Sequence, residues 1–393
     1  MNRRAFVNYL AAAAAGIAGI MLIDESLIRK VWYRLEGILK PSVELPPDAE
    51  RGEAIVPADG QAVSVEKALN SRCTSDYDGV QKKFHWGLFD PAKKLSNEQV
   101  VKVTNHARIP RFSKGKVQIR TEGSTLSFVI DDRASGREKD WMMMESGMQQ
   151  QAVCVVCAAL GIGCVFRSQG KDGTSGSGGE WENIRIRLDP MKTSYGGSYW
   201  SDEVPGDSRP WLKGNLPDPV RDGGKSLTEA LAEVKTEHAG GRKASDGDLG
   251  QILWAARGRT PHYYKSTPWG LTIPTWGGEQ NISGVHVVSG GNILTYVNWD
   301  RGRPTHSLEK VKHLDDRQYK DIVRLAGGME RFLVLSKNEE FARALWEIGF
   351  QVLNALVQAH SLGASYKAVL LNDEGRLLFK EAGIEGAQAL VGV

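Results

Sequence analysis

The chain has 393 residues, with 50 Lys and Arg against 47 Asp and Glu, a formal charge of +3. An apolar fraction of 41% and a charged fraction of 25% are ordinary for folded domains, which excludes collagen-like, coiled-coil and wholly disordered chains. The small net charge excludes the concentrated basic footprint of a nucleic-acid binder, and four cysteines are too few for a disulfide scaffold.

Residues 1–23 predict a targeting segment. Nineteen uncharged residues separate Arg4 from Asp24; as a helix they would span about 28 Å, close to a hydrocarbon core of about 30 Å. Asn2-Arg3-Arg4-Ala5-Phe6-Val7 resembles the twin-arginine export signal. No clean Ala-x-Ala site follows the apolar stretch, where the next residues are Asp24-Glu25-Ser26, so the segment is expected to remain as a membrane anchor. The arginines would stay cytoplasmic and the bulk of the chain would lie on the periplasmic or extracytoplasmic side. Residues 24–60 read as a juxtamembrane helix over Ser26–Leu39 and an extended linker carrying Pro41, Pro46 and Pro47.

The rest of the chain contains an internal repeat. Glu145, Gly147, Gln149, Leu160 and Gly161 recur as Glu347, Gly349, Gln351, Leu362 and Gly363 at an offset of 202. Both stretches predict apolar helices ending at a glycine suited to a left-handed cap, each followed by a short strand at Cys164–Phe166 or Ala368–Leu371. Upstream, Ser96–Arg108 aligns with Ser245–Arg257 at an offset of 149, each a Ser-capped amphipathic helix with an acidic first turn. The second copy is therefore 53 residues longer between its helices, the difference between the two offsets. That extra length predicts strands over Gly284–Leu294 and Leu294–Asp300 and a turn at Arg301–Pro304. Further strands are expected at Leu126–Ile130, Val285–Val288 and Phe332–Leu335. Alternating helices and strands in both copies predict an α+β layered fold, with units at 61–210 and 225–393.

The string Leu253-Trp254-Ala255-Ala256-Arg257-Gly258, then Thr272-Ile273-Pro274-Thr275-Trp276-Gly277-Gly278 and a strand at Val285, resembles the nitroreductase superfamily, and within it the SagB-type dehydrogenases. The helix carrying Glu347, Gly349, Asn354, Leu362 and Gly363 is similar to the family's Glu-x-Gly-x-x-x-Gln-Asn…Leu-Gly pattern. Glu145, Gly147, Gln151, Leu160 and Gly161 match it in the first copy. The resemblance implies two tandem α/β/α units forming an intramolecular pseudo-dimer, which would act as a monomer. It also implies bound FMN and an oxidoreductase acting on a small-molecule or peptide substrate, with an electron donor the sequence does not name.

Carried over to this chain, the cofactor-binding residues are Lys235, His238, Lys265, Thr275, Gly277, Gly278, Gln280, Asn354 and Gly363. One site is expected, built mainly from 235–280 and 347–366, with helix 141–161 as its lid. Where the family begins its unit with Arg-Arg-Ser-x-Arg, the first copy has Lys82-Lys83-Phe84-His85 and the second Lys235-Thr236-Glu237-His238. Lys holds a phosphate as a point charge, without the fork of Arg. A second reading is therefore a cofactor-free descendant serving as a binding or assembly protein. The eight histidines are scattered without ligand spacing, so no metal site is expected. Cys154-Val-Val-Cys157 lies within an apolar helix and reads as buried packing thiols.

Overall fold

The computed structural model describes residues 63–393 apart from 73, 76–93, 113–116, 132–133, 168–173, 176–179, 191–211, 213, 261–262, 265–266, 269, 275–281, 301–302 and 339–341. The predicted export segment, the juxtamembrane helix and Lys82-Lys83 lie outside the described residues. Among those described, no helix is long and apolar enough to cross a membrane.

The first half begins with α1 (Val65–Asn70) and a two-residue strand β1 (Thr74–Ser75). Next come α2 (Asn97–His106), β2 (Gln118–Glu122), β3 (Thr125–Asp131), the long α3 (Gly136–Ala159), β4 (Ile162–Arg167), β5 (Thr174–Ser175) and β6 (Glu180–Pro190). The second half opens with α4 (Leu227–Glu233), β7 (Glu237–His238) and α5 (Asp246–Arg257), then a short pair, β8 (Tyr263–Tyr264) and β9 (Thr267–Pro268). It continues through β10 (Ser283–Ser289), β11 (Asn292–Asp300), β12 (Arg303–His313), α6 (Asp316–Leu325), β13 (Arg331–Lys337) and α7 (Ala342–Ser361), and closes with β14 (Tyr366–Leu370), α8 (Asp373–Glu381) and β15 (Ala387–Gly392).

Two sheets result. The first has the order β1-β4-β6-β3-β2, with β5 added on β6, and the second runs β12-β11-β10-β13-β15-β14-β7. Aligned through their helices, the central ladders correspond strand for strand. β4-β6-β3-β2 matches β14-β15-β13-β10, and every pairing in both ladders is antiparallel. The second sheet then extends beyond β10 by the hairpin β11–β12, whereas the first ends at β2. The expected strand break at Leu294 falls instead at Gly290-Gly291, both with positive φ (54° and 73°), and Leu294 pairs within β11. The turn positions demand those backbone angles, and Leu cannot adopt them cheaply. Pro304 lies within β12 rather than in a turn.

Helix α3 packs on β3 and β4, α7 on β13, β14 and β15, and the two helices pack on each other. Both are buried over most of their circumference, which explains why α3 has no polar stripe. They cross at paired glycines. A side chain added at Gly147 would lie 2.3 Å from the Trp346 carbonyl, and one added at Gly349 2.0 Å from the Met144 carbonyl. Met144 and Trp346 are themselves 202 residues apart, so each helix sets its glycine against the same point of the other. That reciprocity is the mark of a two-fold contact. Both helices end as expected, with Gly161 at φ 64° and Gly363 at φ 66°.

One hydrophobic cluster runs through both halves, from Val65 and Leu126 to Trp254, Phe350 and Val391. A second covers the outer face of the second sheet beneath α6 and α8, around Phe332, Phe379 and Ile322. Helix α1 is stitched to the second half, its Val65 N–H donating to the Lys225 carbonyl at 3.0 Å. Cys154, Cys157 and Cys164 are buried free thiols, and burial pushes the Cys154 thiol well up, keeping it protonated.

Candidate functional site

Both capped helices lead into the candidate site. Ser96 and Ser245 each form a reciprocal capping box, with Gln99 and Asp248 respectively, again 149 residues apart. Helix α5 then delivers Trp254, Ala255 and Arg257 to the interior, all buried.

Of the nine residues expected to hold a cofactor, Lys265, Thr275, Gly277, Gly278 and Gln280 lie outside the described residues. Asn354 is buried on α7. Its Nδ2 donates to the carbonyls of Ala255 (2.8 Å) and Thr272 (3.3 Å), and its Oδ1 accepts from Gln151 Nε2 at 2.9 Å. Both amide hydrogens are thus engaged by the protein. The Thr272 carbonyl is a convergence point, also accepting from Gln151 Nε2 (3.0 Å) and Arg72 Nε (3.1 Å). Arg72 adds a bond from Nη2 to the Leu271 carbonyl at 2.6 Å. Side chains from the segment after α1, from α3 and from α7 therefore fix the entry to the Thr272–Pro274 segment. Asn354 acts here as a positioning residue.

Gly363 lies about 13 Å further along from Asn354 at helical rise. Its N–H donates to the His360 carbonyl, and its carbonyl accepts from the Arg242 N–H, both at 3.0 Å. Around this helix end the structure gathers a polar cluster. His238 on β7 sits opposite Tyr366 on β14, its ring 5.6 Å from the Tyr366 ring and 5.8 Å from that of His360. His360 reaches the Glu233 carboxylate at 3.1 Å and the Tyr366 hydroxyl at 3.3 Å, and Lys225 ion-pairs with Glu233. The Lys225 bond, then the His360 bond, holds the Glu233 carboxyl below its usual range. Burial raises the Tyr366 hydroxyl. Lys235 is exposed beside them, its backbone N–H donating to the Tyr366 hydroxyl at 3.3 Å. The fold thus brings Lys235, His238 and Gly363 to one region, with Asn354 deeper in the core.

A third constellation escaped sequence reasoning. Arg257 Nη1 donates to Glu347 Oε2 (3.0 Å) and to Ser283 Oγ (2.7 Å). Ser283 in turn donates to Glu347 at 2.8 Å and accepts from Gln351 Nε2 at 2.9 Å. All four residues are buried. Glu347 and Gln351 stand out in the repeat, but their partners lie 90 and 68 residues away, beyond any local pattern. Among the described residues no group of His, Cys, Asp and Glu could hold a metal ion.

No protein-family model matches the chain, and no curated protein matches it. Among solved structures, it is similar to a protein from Anabaena variabilis assigned as a nitroreductase, with a TM-score of 0.49 and 10% identity over 68% of each chain. A second so assigned, from Ralstonia eutropha, gives 0.35 and 22% identity over 45% of this chain and 87% of that one. A third, from Thermotoga maritima, gives 0.36 and 10% identity over 86% and 98%.

Proposed function

We propose that this protein is a tandem nitroreductase-type oxidoreductase, a single chain folded as its own pseudo-dimer and tethered to the outer face of the membrane. The observation that carries the reading is the reciprocal crossing of α3 and α7, where Gly147 faces Trp346 and Gly349 faces Met144. An interface between two protomers would look like this if both were joined in one chain. FMN is the cofactor that the sequence resemblance implies. At the phosphate end the described residues suit it, since among them the Lys235 ammonium and the His238 ring nitrogens have no hydrogen-bonding partner and can meet an anion. At the ring end Asn354 does not suit it, because its amide hydrogens are held by Ala255 and Thr272. When bound, a flavin supplies two-electron transfer to or from an organic substrate. The chain's own part is then to present Lys235 and His238 to the phosphate and to hold the Thr272–Pro274 segment rigid through Arg72, Gln151 and Asn354.

The commitment of Asn354 favours a second reading, a cofactor-free descendant that binds or assembles other molecules. The full-length protein purified from membranes decides between them. Flavin absorbance, or FMN uptake on reconstitution that weakens about tenfold in a Lys235→Ala/His238→Ala variant, supports the oxidoreductase. Colourless protein that takes up no FMN supports the second reading. Export by the twin-arginine route is tested by replacing Arg3 and Arg4 with Lys, which should hold the protein in the cytoplasm.

A further inference from the structure

The first half has a cleft of about 760 Å³ at the C-terminal end of α2, against the edge strand β2. That volume lies within the range of small-molecule sites, roughly 300–1,000 Å³. One wall is apolar, formed by Ile109, Val117 and Ile119, which are partly buried against the main core. Two cations, Arg108 and Arg111, also line it, and among the described residues no carboxylate does. Arg108 spends only Nε on the described residues, donating to the Asn105 carbonyl at 3.1 Å. Among the described residues neither guanidinium has an acidic partner. Paired arginines facing an apolar wall are suited to a ligand that is anionic at one end and hydrophobic at the other, because guanidinium forks bind carboxylates and phosphates bidentately.

From this geometry we infer that the cleft is a second binding site, independent of the flavin reading, for a small amphipathic organic anion. The head is a carboxylate or a phosphate, and the body is an apolar chain or ring lying along Ile109, Val117 and Ile119. At the equivalent place in the second half Arg257 is turned into the core and the β11–β12 hairpin extends the sheet past β10.

Calorimetric titration of the full-length protein with 4-phenylbutyrate, 4-phenylbutyl phosphate and neutral 4-phenylbutanol tests this. At least one anion should bind ten-fold or more tightly than the alcohol, and the stronger of the two identifies the head group. An Arg108→Gln/Arg111→Gln variant should bind anion and alcohol within about two-fold of each other while unfolding at the same temperature as the wild type, since both side chains are exposed. Ile119→Asp should weaken all three ligands. Equal binding of anion and alcohol by the wild type, no binding at all, or an unchanged preference in the double-arginine variant would overturn the inference. So would flavin absorbance that disappears in that variant, because it would put the flavin in the cleft.

Discussion

Arg108 and Arg257 occupy the same register at the ends of α2 and α5, 149 residues apart, yet they do opposite things. Arg257 is 5% exposed and bonds Glu347 and Ser283 in the core. Arg108 is exposed and lines an open cleft. The backbone frame is shared, down to the capping boxes and the order of the central strands, so the difference comes from what each half adds around it. The second half adds the β11–β12 hairpin, whose Asn298 donates to the Arg257 carbonyl at 2.7 Å, and Ser283 at the start of β10. The first half stops at β2 and leaves its arginine to solvent. Repetition fixes where a helix ends; the neighbours decide whether the residue there becomes a strut or part of a surface.

The largest expected effect contrasts these two residues directly. Arg257→Met removes the buried cation that pairs with the Glu347 carboxylate, and breaking one side of a buried ion pair costs about 3–5 kcal/mol. Arg108→Met should change stability by less than about 0.5 kcal/mol, as exposed substitutions usually do. Urea unfolding of the two variants measures both. Comparable losses would mean that the halves are not built as differently as Arg108 and Arg257 suggest.

The hairpin that closes the second half should carry its own pH signature. His306 on β12 is buried, its Nδ1 2.7 Å from the Tyr296 hydroxyl on β11, and burial lowers its pKa from 6.5 to about 4. With the folded value below the unfolded one, the unfolded chain takes up a proton first as pH falls. Stability is therefore complete above pH 6.5 and lost between there and pH 4, by about 3 kcal/mol in all. His306→Gln removes this slope whatever it does to stability at pH 7. Parallel wild-type and variant curves from pH 7 to 4 would rule the histidine out as the source.

Where the halves are alike, they should respond alike. Gly147→Ala and Gly349→Ala each push a methyl into backbone, 2.3 Å and 2.0 Å from the opposing carbonyl. Overpacking of this kind costs about 1–3 kcal/mol, partly offset by the helix preference of Ala, about 1 kcal/mol. A net loss of up to about 2 kcal/mol in both variants is expected in thermal unfolding. A loss in only one would break the two-fold relation between α3 and α7.

Much of this frame was legible in the sequence because it is local or repeated. The 202-residue offset located α3 and α7, their cap glycines and the strands after them. The 149-residue offset located two helices whose serine caps fold as expected. What stayed hidden depends on distant partners. Nothing around Glu66 announces a buried carboxylate that accepts from Gln358 Nε2, 292 residues away, and from the Gly224 N–H. Asn354 was visible as a motif residue, but its bonds to Gln151, Ala255 and Thr272 were not, so its role at the site could not be read. The Gly290-Gly291 turn was misplaced because Ile293 and Leu294 continue the apolar run, and alternation alone does not mark which residue turns back.

The smallest expected difference lies in the two capping boxes. Ser96 and Gln99 are exposed, and their reciprocal bonds, 2.9 and 3.2 Å, join neutral groups. Ser96→Ala should cost about 1 kcal/mol, the usual value of such a cap. Ser245 caps through Asp248, a carboxylate also gripped by Arg242, with Nη2 to Oδ1 at 2.8 Å. The Arg242 bonds, then the Ser245 bonds, overcome desolvation and hold Asp248 well below the usual carboxylate range, so the cap is charge-assisted and stronger. Ser245→Ala should therefore cost more than Ser96→Ala, up to about 2 kcal/mol. The excess should persist at pH 4, because Asp248 remains ionised there. Denaturation of both variants at pH 7 and pH 4 measures it, and equal losses at both values would show that Arg242 adds nothing to the second cap.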